Sequence, residues 1–597
     1  MTDTVAIVVL TERGLAVARR IRSCLTGARI HGYSARVADV DVAFDDVGTE
    51  LRRLFADGFD IVGVCSAGIL IRTLAPALAD KREEPAVIAA AEDGSAVVPL
   101  LGGHRGANEL ARRLGEALGV PAAITTAGDL RWQVALDDPP SGWVLANPHH
   151  CKSFMARLLA GEPCRLEGKA AWLERSGIEF RSDATLGVRV TDAPDGGDGD
   201  TLVYHPRRFA LGVGCERGVV VGELADLVER TLAGAGLSTL SLAGVFSVDL
   251  KMDEPAVHAL ADALGVPARF FDPPALEALT PRLANPSETV FREVGCHGVS
   301  EAAALAAAGE HGVLRVAKTK SKRATCAVAE APAPIGAMQL GRARGILTVV
   351  GLGPGTPAWR TPAADRAIRS AAHLVGYRGY LDQVSVSAGQ VRHDHVLGEE
   401  TERVDRALAL AAEGHRVALV CSGDPGVYAM AALVFERLEA AVPVHWRRSE
   451  IVVLPGVSAM HGAAALAGAP LGHDFCAISL SDLLTPWAVI EQRLRAAADG
   501  DFVVALYNPA SNRRRRGLAR AIEILAAKRA PATPVVVARA VGRDDQLVTV
   551  TCLRDLDQSS VDMMTLLIVG STETRVTGGR VYTPRGYRAK RGSEAPA

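Results

Sequence analysis

A glycine-rich turn, "VVGLGPG" at residues 349–355, is the first feature whose residue types suggest ligand chemistry. An apolar run leads into three glycines, as a strand leads into a phosphate-binding turn. The third glycine of the dinucleotide pattern G-x-G-x-x-G is missing, and Pro354 removes a backbone N–H that a pyrophosphate would use. Asp365 comes too soon and Asp382 does not end a second clear strand, so neither fits the ribose-binding acid. The sequence argues against a Rossmann dehydrogenase.

Three further turns follow in order, each at the carboxyl end of an apolar run: "SGDPGVYAMA", "PGVSAMHG" and "LYNPAS". In open α/β sheets, ligands bind outside the carboxyl ends of the strands. Small residues let a ligand approach the backbone, and Asp424 can accept hydrogen bonds from a ribose or an amino group. Each turn alone also fits an ordinary β–α connection. Their joint order predicts one ligand cleft.

The elements that must position these turns follow a β–α rhythm along the whole chain. At about 150 residues per domain, a chain of 597 residues is long enough for several domains. Of these residues, 48% are hydrophobic. A net charge of −2 gives no overall attraction to nucleic acid or to a membrane. Ten cysteines without a C-x-x-C pair argue against a zinc cluster or a disulfide framework, so we expect no metal. With no signal peptide and no membrane span, the sequence predicts a cytoplasmic protein.

Composition shifts divide the chain into segments. Glu330 to Gly345 is rich in proline and alanine and has no apolar period, which is typical of a linker. The fold class we expect is α/β and multi-domain. The predicted segments are an N-terminal domain (1–147), a middle segment (148–205), a second domain (206–330), a linker (331–345), a third α/β region with two subdomains (346–575) and a basic tail (576–597).

The ordered turns of the last 250 residues, with Gly542, Arg543 and Gln546 after them, resemble the tetrapyrrole methylase family. Within that family, "GAPLGHDFCAISLSDLLTPW" at 468–487 is similar to the precorrin-3B C-17 methyltransferase branch of cobalamin biosynthesis. The resemblance implies a two-subdomain methylase fold, S-adenosyl-L-methionine as methyl donor and a tetrapyrrole substrate. It implies C-17 methylation with ring contraction, and commonly a homodimer. Whether the substrate carries cobalt stays open.

The same resemblance implies which residues bind the cofactor, with the glycine turn lining the cleft rather than holding a phosphate. These residues are Pro354, Gly423, Asp424, Val427, Ser458, Ala459, Leu506 and Ala538. Methyl transfer from a sulfonium depends mostly on positioning.

Ring contraction also moves a proton, so acid–base groups are needed. His473 and Asp474 precede the strand-like "FCAISL", and Asp482 follows it. A His–Asp pair can hold one imidazole tautomer. The alternative is that His473 caps a turn and Asp482 N-caps the next helix.

The run "NRRRRG" contains Arg513 and Arg514, and three interpretations are open. Arginine suits the eight carboxylates of a precorrin. A solvated helix start explains the run equally well. RNA binding, known for one family sibling, is the weakest interpretation, because no aromatics are interleaved with the basic residues.

In the N-terminal half, His104 and Glu109 lie at a glycine turn before a helix, Cys215 lies in "GVGCERG", and Lys251 ends a strand. These turns could form an anionic-ligand site or be purely structural. "GGHRGANELA", "GVGCERG" and "SVDLKMDEPAVHALADALGVP" resemble the two domains of the cobalt-precorrin-5A hydrolase family.

That resemblance implies a hydrolase-like region that opens a lactone and releases acetaldehyde. His104 or Glu109 is then the candidate base, turn N–H groups or Lys251 face the anion, and Cys215 is a candidate substrate contact. The alternative is a non-catalytic tetrapyrrole-binding half. Fusion would raise the local concentration of two sites that act on one pool.

Overall fold

The computed structural model describes residues 5–25, 27–78, 84–103, 106–386, 389–440, 442–510 and 516–587. Contacts divide the chain into two compact units: unit 1 runs to Arg344 and unit 2 begins at Gly345. Both units are built from sheets covered by helices, which confirms the multi-domain α/β class.

Unit 1 starts with a six-stranded sheet of order β3-β2-β1-β4-β5-β6, parallel except for β6. Its central strand, "VAIVV", is buried along its whole length, because helices cover both faces. The strands are β1 (Val5–Val9), β2 (Arg29–Tyr33), β3 (Val42–Phe44), β4 (Asp60–Val64), β5 (Val87–Ala90) and β6 (Val97–Leu101). The helices are α1 (Glu12–Ser23), α2 (Val47–Ala56), α3 (Ala67–Leu74) and α4 (Ala107–Leu118).

The middle segment forms a four-stranded sheet of its own, of order β7-β10-β9-β8, around a core that includes Phe154 and Tyr204. Its helices are α5 (Ala127–Trp132), α6 (Pro148–Leu159) and α7 (Ala171–Glu174). Its strands are β7 (Trp143–Leu145), β8 (Cys164–Glu167), β9 (Leu186–Val190) and β10 (Thr201–Pro206).

A five-stranded sheet of order β13-β12-β11-β15-β14 completes unit 1. Its strands are β11 (Phe209–Cys215), β12 (Leu242–Val248), β13 (Ala268–Phe271), β14 (Val313–Lys320) and β15 (Ala324–Glu330). Its helices are α8 (Val221–Ala235), α9 (Pro255–Leu264), α10 (Pro273–Glu277), α11 (Glu288–Val294) and α12 (Ser300–Ala308). Gly212 is needed here, since a Cβ would lie 1.9 Å from the Ser300 carbonyl oxygen of α12.

The segment that we expected to be a linker packs on this sheet instead of crossing open space. The Ala331 N–H donates to the Arg208 carbonyl at 2.9 Å, and Arg342 forms an ion pair with Asp249 at 2.7 Å. Ala337 is buried.

Unit 2 begins with a fully parallel sheet of order β18-β17-β19-β16-β20. Its strands are β16 (Ile346–Gly351), β17 (His373–Tyr377), β18 (Val391–His395), β19 (Arg416–Cys421) and β20 (Glu450–Leu454). Its helices are α13 (Pro362–Ser370), α14 (Arg378–Leu381), α15 (Glu400–Ala412), α16 (Met430–Glu439) and α17 (Ala459–Ala467). The first, second and third sequence turns therefore leave the neighbouring strands β16, β19 and β20 at one edge.

The second sheet of unit 2 is mixed, of order β22-β23-β26-β24-β25, with β22 and β23 parallel. Residues 576–582, which the sequence assigns to a tail, belong mostly to a small sheet with β21, so the fold continues past residue 575. The strands are β21 (Gly468–Ala469), β22 (Phe475–Ser479), β23 (Val503–Tyr507), β24 (Pro534–Arg539), β25 (Leu547–Cys552), β26 (Thr565–Val569), β27 (Arg575–Thr577) and β28 (Arg580–Tyr582). The helices are α18 (Trp487–Asp499) and α19 (Arg516–Ala526).

Candidate functional site

A cavity of about 360 Å³ in unit 2 is lined from the carboxyl ends of β16, β19, β20, β23 and β24. In α/β folds, ligands bind at the carboxyl ends of the strands, near the point where the strand order reverses. Seven of the predicted cofactor residues line it: Pro354, Gly423, Asp424, Val427, Ser458, Ala459 and Ala538.

The glycines of the first three turns are required by close backbone packing. A Cβ on Gly456 would lie 2.1 Å from the Gly423 carbonyl oxygen, and one on Gly351 would lie 2.5 Å from the same oxygen. Gly353 and Gly423 exchange two backbone hydrogen bonds, of 3.2 and 2.8 Å. The glycine turn therefore holds two strand ends together at the cavity.

Asp424 is held as an oriented acceptor. Its Oδ1 accepts from the Gly426 N–H at 2.8 Å, and its Oδ2 accepts from the Gly456 N–H at 3.0 Å. A carboxylate has about four lone-pair sites, so both oxygens can still accept from a ligand. The backbone fixes this carboxylate at the cavity wall before any ligand binds.

The helix α17 begins at the cavity. Ser458 is its N-cap and accepts from the His461 N–H at 3.2 Å. The Met460 N–H donates to the Tyr507 hydroxyl at 3.1 Å. Burial raises the pKa of Tyr507, so the phenol stays neutral and is available as a hydrogen-bond donor.

Three lining residues that sequence reasoning missed have a strained backbone. Tyr428, Asn508 and Ala540 have φ values of 52°, 51° and 50°. Such conformations in non-glycine residues are costly and concentrate at ligand sites. Asn508, which precedes a proline in the fourth turn, had a usable sequence signal; Tyr428 and Ala540 had none.

The charged lining residues Glu400 and Arg403 were also missed, and Arg543, which carries the family resemblance, had been given no role in the site. Arg403 is buried, and it shares the inner face of α15 with Ala407 and Leu410. Its i, i+4, i+7 spacing was the signal that could have revealed an inward-facing cation. Burial raises the pKa of Tyr380, which also lines the cavity, against the opposing effect of Arg543.

Leu506 differs from the other predicted cofactor residues, because its fully buried side chain packs in the core around α18 and α19. It is not among the described residues that line the cavity; its neighbour Tyr507 is. Successive strand residues face opposite sides of a sheet, and Tyr507 takes the cavity side.

The acid–base candidates lie at opposite ends of strand β22. His473 and Asp474 precede β22, so they lie at its amino end, roughly 16 Å of strand away from the carboxyl edge. The His473 Nδ1 lies 3.1 Å from Asp474, and both side chains are more than half exposed. Asp482 follows the carboxyl end of β22. Between that end and Asp482, the Leu480 N–H donates a hydrogen bond to the Tyr507 carbonyl. The cap of α18 is Pro486, not Asp482.

The unit 1 candidates occupy different sheets. Cys215 ends β11 and Lys251 follows β12, and these strands are parallel neighbours, so both residues lie at one edge. Burial raises the pKa of Cys215 to about 11, although the Lys251 charge opposes the shift. Glu109 lies in the first turn of α4 beside the six-stranded sheet and pairs with Arg112 at 3.3 Å. His104, Arg513 and Arg514 lie outside the described residues.

Comparison with known proteins assigns each half. Residues 347–557 match the family model of tetrapyrrole (corrin/porphyrin) methylases. The precorrin-3B C(17)-methyltransferase of Sinorhizobium sp is 46% identical over 248 residues, which cover 97% of that protein and 41% of this chain. The chain belongs to the tetrapyrrole methylase family. The predicted resemblance is confirmed for the methylase half.

Two further matches lie in the same half of the chain. The probable cobalt-factor III C(17)-methyltransferase of Salmonella typhimurium is 45% identical over 243 residues, covering 99% of that protein and 40% of this chain. The crystal structure of the methyltransferase CobJ matches with 47% identity and a TM-score of 0.39, covering 100% of that structure and 40% of this chain.

Unit 1 matches two further family models. Residues 49–129 match the cobalamin synthesis G N-terminal model, and residues 209–329 match the cobalamin synthesis G C-terminus model. These matches confirm the resemblance of unit 1 to a cobalamin-biosynthesis family. Within the described ranges, no helix is long and apolar enough to cross a membrane.

Proposed function

We propose that unit 2 methylates C-17 of precorrin-3B, or of its cobalt-containing counterpart, and contracts the macrocycle. The observation that carries this proposal is the cavity at the strand ends, lined by seven of the predicted cofactor residues, in a region 46% identical over 248 residues to a precorrin-3B C(17)-methyltransferase. The names of the two methyltransferase relatives include both metal-free and cobalt substrates, so both belong to the proposal.

The residues present suit S-adenosyl-L-methionine. The cavity volume of about 360 Å³ is within the range of about 300–1,000 Å³ for small-ligand pockets. Asp424 offers an oriented acceptor, Tyr507 a neutral phenol, and Val541, Met563 and Leu566 an apolar wall. When bound, S-adenosyl-L-methionine supplies an electrophilic methyl group.

The chain's own residues contribute positioning and proton handling. The glycine contacts fix the relative position of the strand ends, so the cavity needs little reorganisation when a ligand binds. For the proton that moves during ring contraction we propose Asp482, because it follows β22 at the sheet edge where Tyr507 of the parallel strand β23 lines the cavity, whereas His473 and Asp474 lie at the opposite edge. Asp482 itself is not among the described residues that line the cavity. Arg513 and Arg514 stay proposed contacts for the substrate carboxylates.

The test is conversion of precorrin-3B by the full chain with S-adenosyl-L-methionine, followed by mass spectrometry of the product. We expect a methylated, ring-contracted product. Asp482→Asn should lower kcat about 100-fold or more, the range for loss of a general acid or base. His473→Asn, its control at the other edge, should stay within about twofold. A loss confined to His473→Asn would reverse the assignment.

We also propose that unit 1 hydrolyses the lactone of cobalt-precorrin-5A and releases acetaldehyde. Its matches to both cobalamin synthesis G models support this, and so does the position of Lys251 beside Cys215 at one sheet edge. Lys251 would stabilise the developing oxyanion, Cys215 would contact the substrate, and His104 or Glu109 would serve as base.

Acetaldehyde trapped from the full chain with cobalt-precorrin-5A tests this second proposal. Release that falls at least tenfold in Lys251→Ala, but not in Arg230→Ala at an exposed position of α8, supports catalysis in unit 1. Pigment binding without release would make unit 1 a tetrapyrrole carrier.

We infer a homodimer through unit 2, from its strongly exposed apolar side chains. Leu483 and Leu484, adjacent in the loop after β22, are 78% and 97% exposed. Adjoining exposed apolar side chains are typical of contact surfaces. Light scattering of the full chain should give twice the mass of 62.6 kDa; a monomer would contradict the inference.

A further inference from the structure

A buried cation in the cavity wall has unused hydrogen-bond donors. Arg403 lines the cavity with a side chain that is 4% exposed. Its Nε is buried without a hydrogen-bond partner, and its Nη1 contacts only the Met430 sulfur, at 3.8 Å, in the described part of the chain. Its Nη2 donates to the Val396 carbonyl at 3.2 Å. The Glu400 carboxylate stands 3.9 Å from Nη2, beyond hydrogen-bond distance, on a half-exposed side chain.

Without a ligand, this arrangement of Arg403 lowers the free energy of unfolding of the protein. A guanidinium has five N–H donors, and a thioether is a weak acceptor. Burying a charge is expensive unless it is paired and hydrogen-bonded. A ligand carboxylate would supply both the opposite charge and two acceptor oxygens, in the geometry that arginine binds best.

A fixed charge of the opposite sign lies at the same part of the cavity. Arg403 and Asp424 are both close enough to act on Cys421, whose thiol pKa burial raises to about 12. No ion pair within 4 Å joins Arg403 to Asp424 among the residues that the structure describes. Backbone N–H groups hold Asp424 in place. This part of the wall therefore offers a separate cation and anion, which complement an α-amino acid zwitterion.

We propose that Arg403 binds the α-carboxylate at the methionine end of S-adenosyl-L-methionine, with Asp424 receiving the α-ammonium. This rests on the proposed use of that methyl donor by unit 2. A carboxylate of the tetrapyrrole is the other source of the same chemistry. A cavity of about 360 Å³ suits a ligand of cofactor size better than a macrocycle with eight carboxylate arms, and the Arg403 side chain, 4% exposed, lines it.

The test compares two ligands by calorimetry on the full chain. S-adenosylhomocysteine carries the amino-acid end, and 5′-methylthioadenosine lacks it. In Arg403→Met, the Kd for S-adenosylhomocysteine should rise about 30-fold or more, as for loss of one partner of a buried charge pair. The Kd for 5′-methylthioadenosine should stay within about threefold. Arg406→Met, at an exposed position on the same helix, is the matched control and should change neither.

The outcomes separate the two proposals. A wild-type chain that fails to bind S-adenosylhomocysteine would refute the use of the methyl donor itself. Wild-type binding that Arg403→Met leaves unchanged, or an equal loss of both ligands, would overturn the role of Arg403 alone. So would a rise in the KM for the tetrapyrrole without any change in S-adenosylhomocysteine binding.

A second measurement covers the case in which Arg403→Met does not fold. The wild-type chain is titrated with S-adenosylmethionine and with its decarboxylated analogue, which keeps the amine and the sulfonium. We expect the analogue to bind about 30-fold more weakly or worse. Equal affinity would overturn the proposal.

Discussion

Strand-end glycine turns occur in both units, but their polar groups are used differently. In unit 1, the turn after Cys215 is tied down from within: Glu254 accepts from the Gly218 N–H at 3.2 Å, and Arg217 pairs with Asp253 at 2.8 Å. In unit 2, the second turn leaves Asp424 with spare acceptor sites, and Arg403 of α15, in the same cavity wall, has an Nε with no hydrogen-bond partner among the described residues. The unit 1 turn thus offers a ligand fewer polar groups of its own, so the site proposed there depends on Cys215 and Lys251.

The largest difference between the units is expected from a substitution that disturbs the packing of the unit 2 turns. Gly456→Ala places a Cβ 2.1 Å from the Gly423 carbonyl oxygen, so we expect a loss of about 3 kcal/mol in the free energy of unfolding. S-adenosylhomocysteine binding should be lost as well. Denaturant unfolding and calorimetry check both.

Gly218→Ala in unit 1 is the matched control. Its φ is +66° and nothing lies within 4 Å of the added Cβ, so only backbone strain of about 1 kcal/mol is expected. Equal effects of the two substitutions would contradict the difference in packing.

Replacing the fixed carboxylate tests the availability of its acceptor sites. Asp424→Asn removes the charge while keeping the shape, and should weaken S-adenosylhomocysteine binding about 30-fold, or about 2 kcal/mol. Asp253→Asn removes a carboxylate of similar setting in unit 1 and should leave that binding unchanged. Calorimetry on the full chain measures both; unchanged binding in Asp424→Asn would remove Asp424 from the cofactor site.

The stability of the two units at low pH should differ, because a carboxyl with a low pKa is buried in unit 1 and has solvent-accessible partners in unit 2. Burial by itself raises the pKa of Glu50, but hydrogen bonds from His31 and Arg53 outweigh it and hold the pKa at about 2. The folded-state pKa is below the usual value of 4.5, so this stabilisation is present above pH 4.5 and is lost as the pH falls toward 2. The Glu50 side chain is 10% exposed, and Glu50→Gln should cost unit 1 about 2 kcal/mol at pH 7.

Glu491 in unit 2 is the comparison. Hydrogen bonds led by Arg520 also hold the pKa of its carboxyl at about 2, but Arg520 and Arg495 are solvent-accessible partners. Exposed ion pairs contribute little, so Glu491→Gln should barely change stability. Hydrogen exchange with mass spectrometry follows each unit separately between pH 7 and 3. A larger effect of Glu491→Gln would reverse the comparison.

The smallest effect is expected at a thiol. Burial raises the pKa of Cys215 to about 11, so almost none is thiolate at neutral pH. Cys215→Ala should therefore change acetaldehyde release less than threefold, consistent with substrate contact but not with nucleophilic catalysis. A loss as large as that expected for Lys251→Ala would show that the thiol reacts.

Most of the ligand cleft in unit 2 could be predicted, because each turn follows its strand directly in sequence. Asp424, Ser458 and Ala538, which the resemblance assigned to the cofactor, line this cavity. Leu506 could not be placed, since which face of β23 meets the cavity depends on the helices packed against it. The positive φ of Tyr428 and Ala540 had no sequence signal, because the surrounding packing imposes it.

The sequence by itself determined the family, the order of the turns and the glycines that hold the strand ends together, because these depend on residues close in the chain. Only the tertiary structure decided which candidates share an edge. Strand direction puts Asp482 at the cavity edge of β22 and His473 at the other, and helix packing buries Arg403 in the cavity wall. Distances between residues far apart in sequence follow from strand order and packing, which no local spacing records.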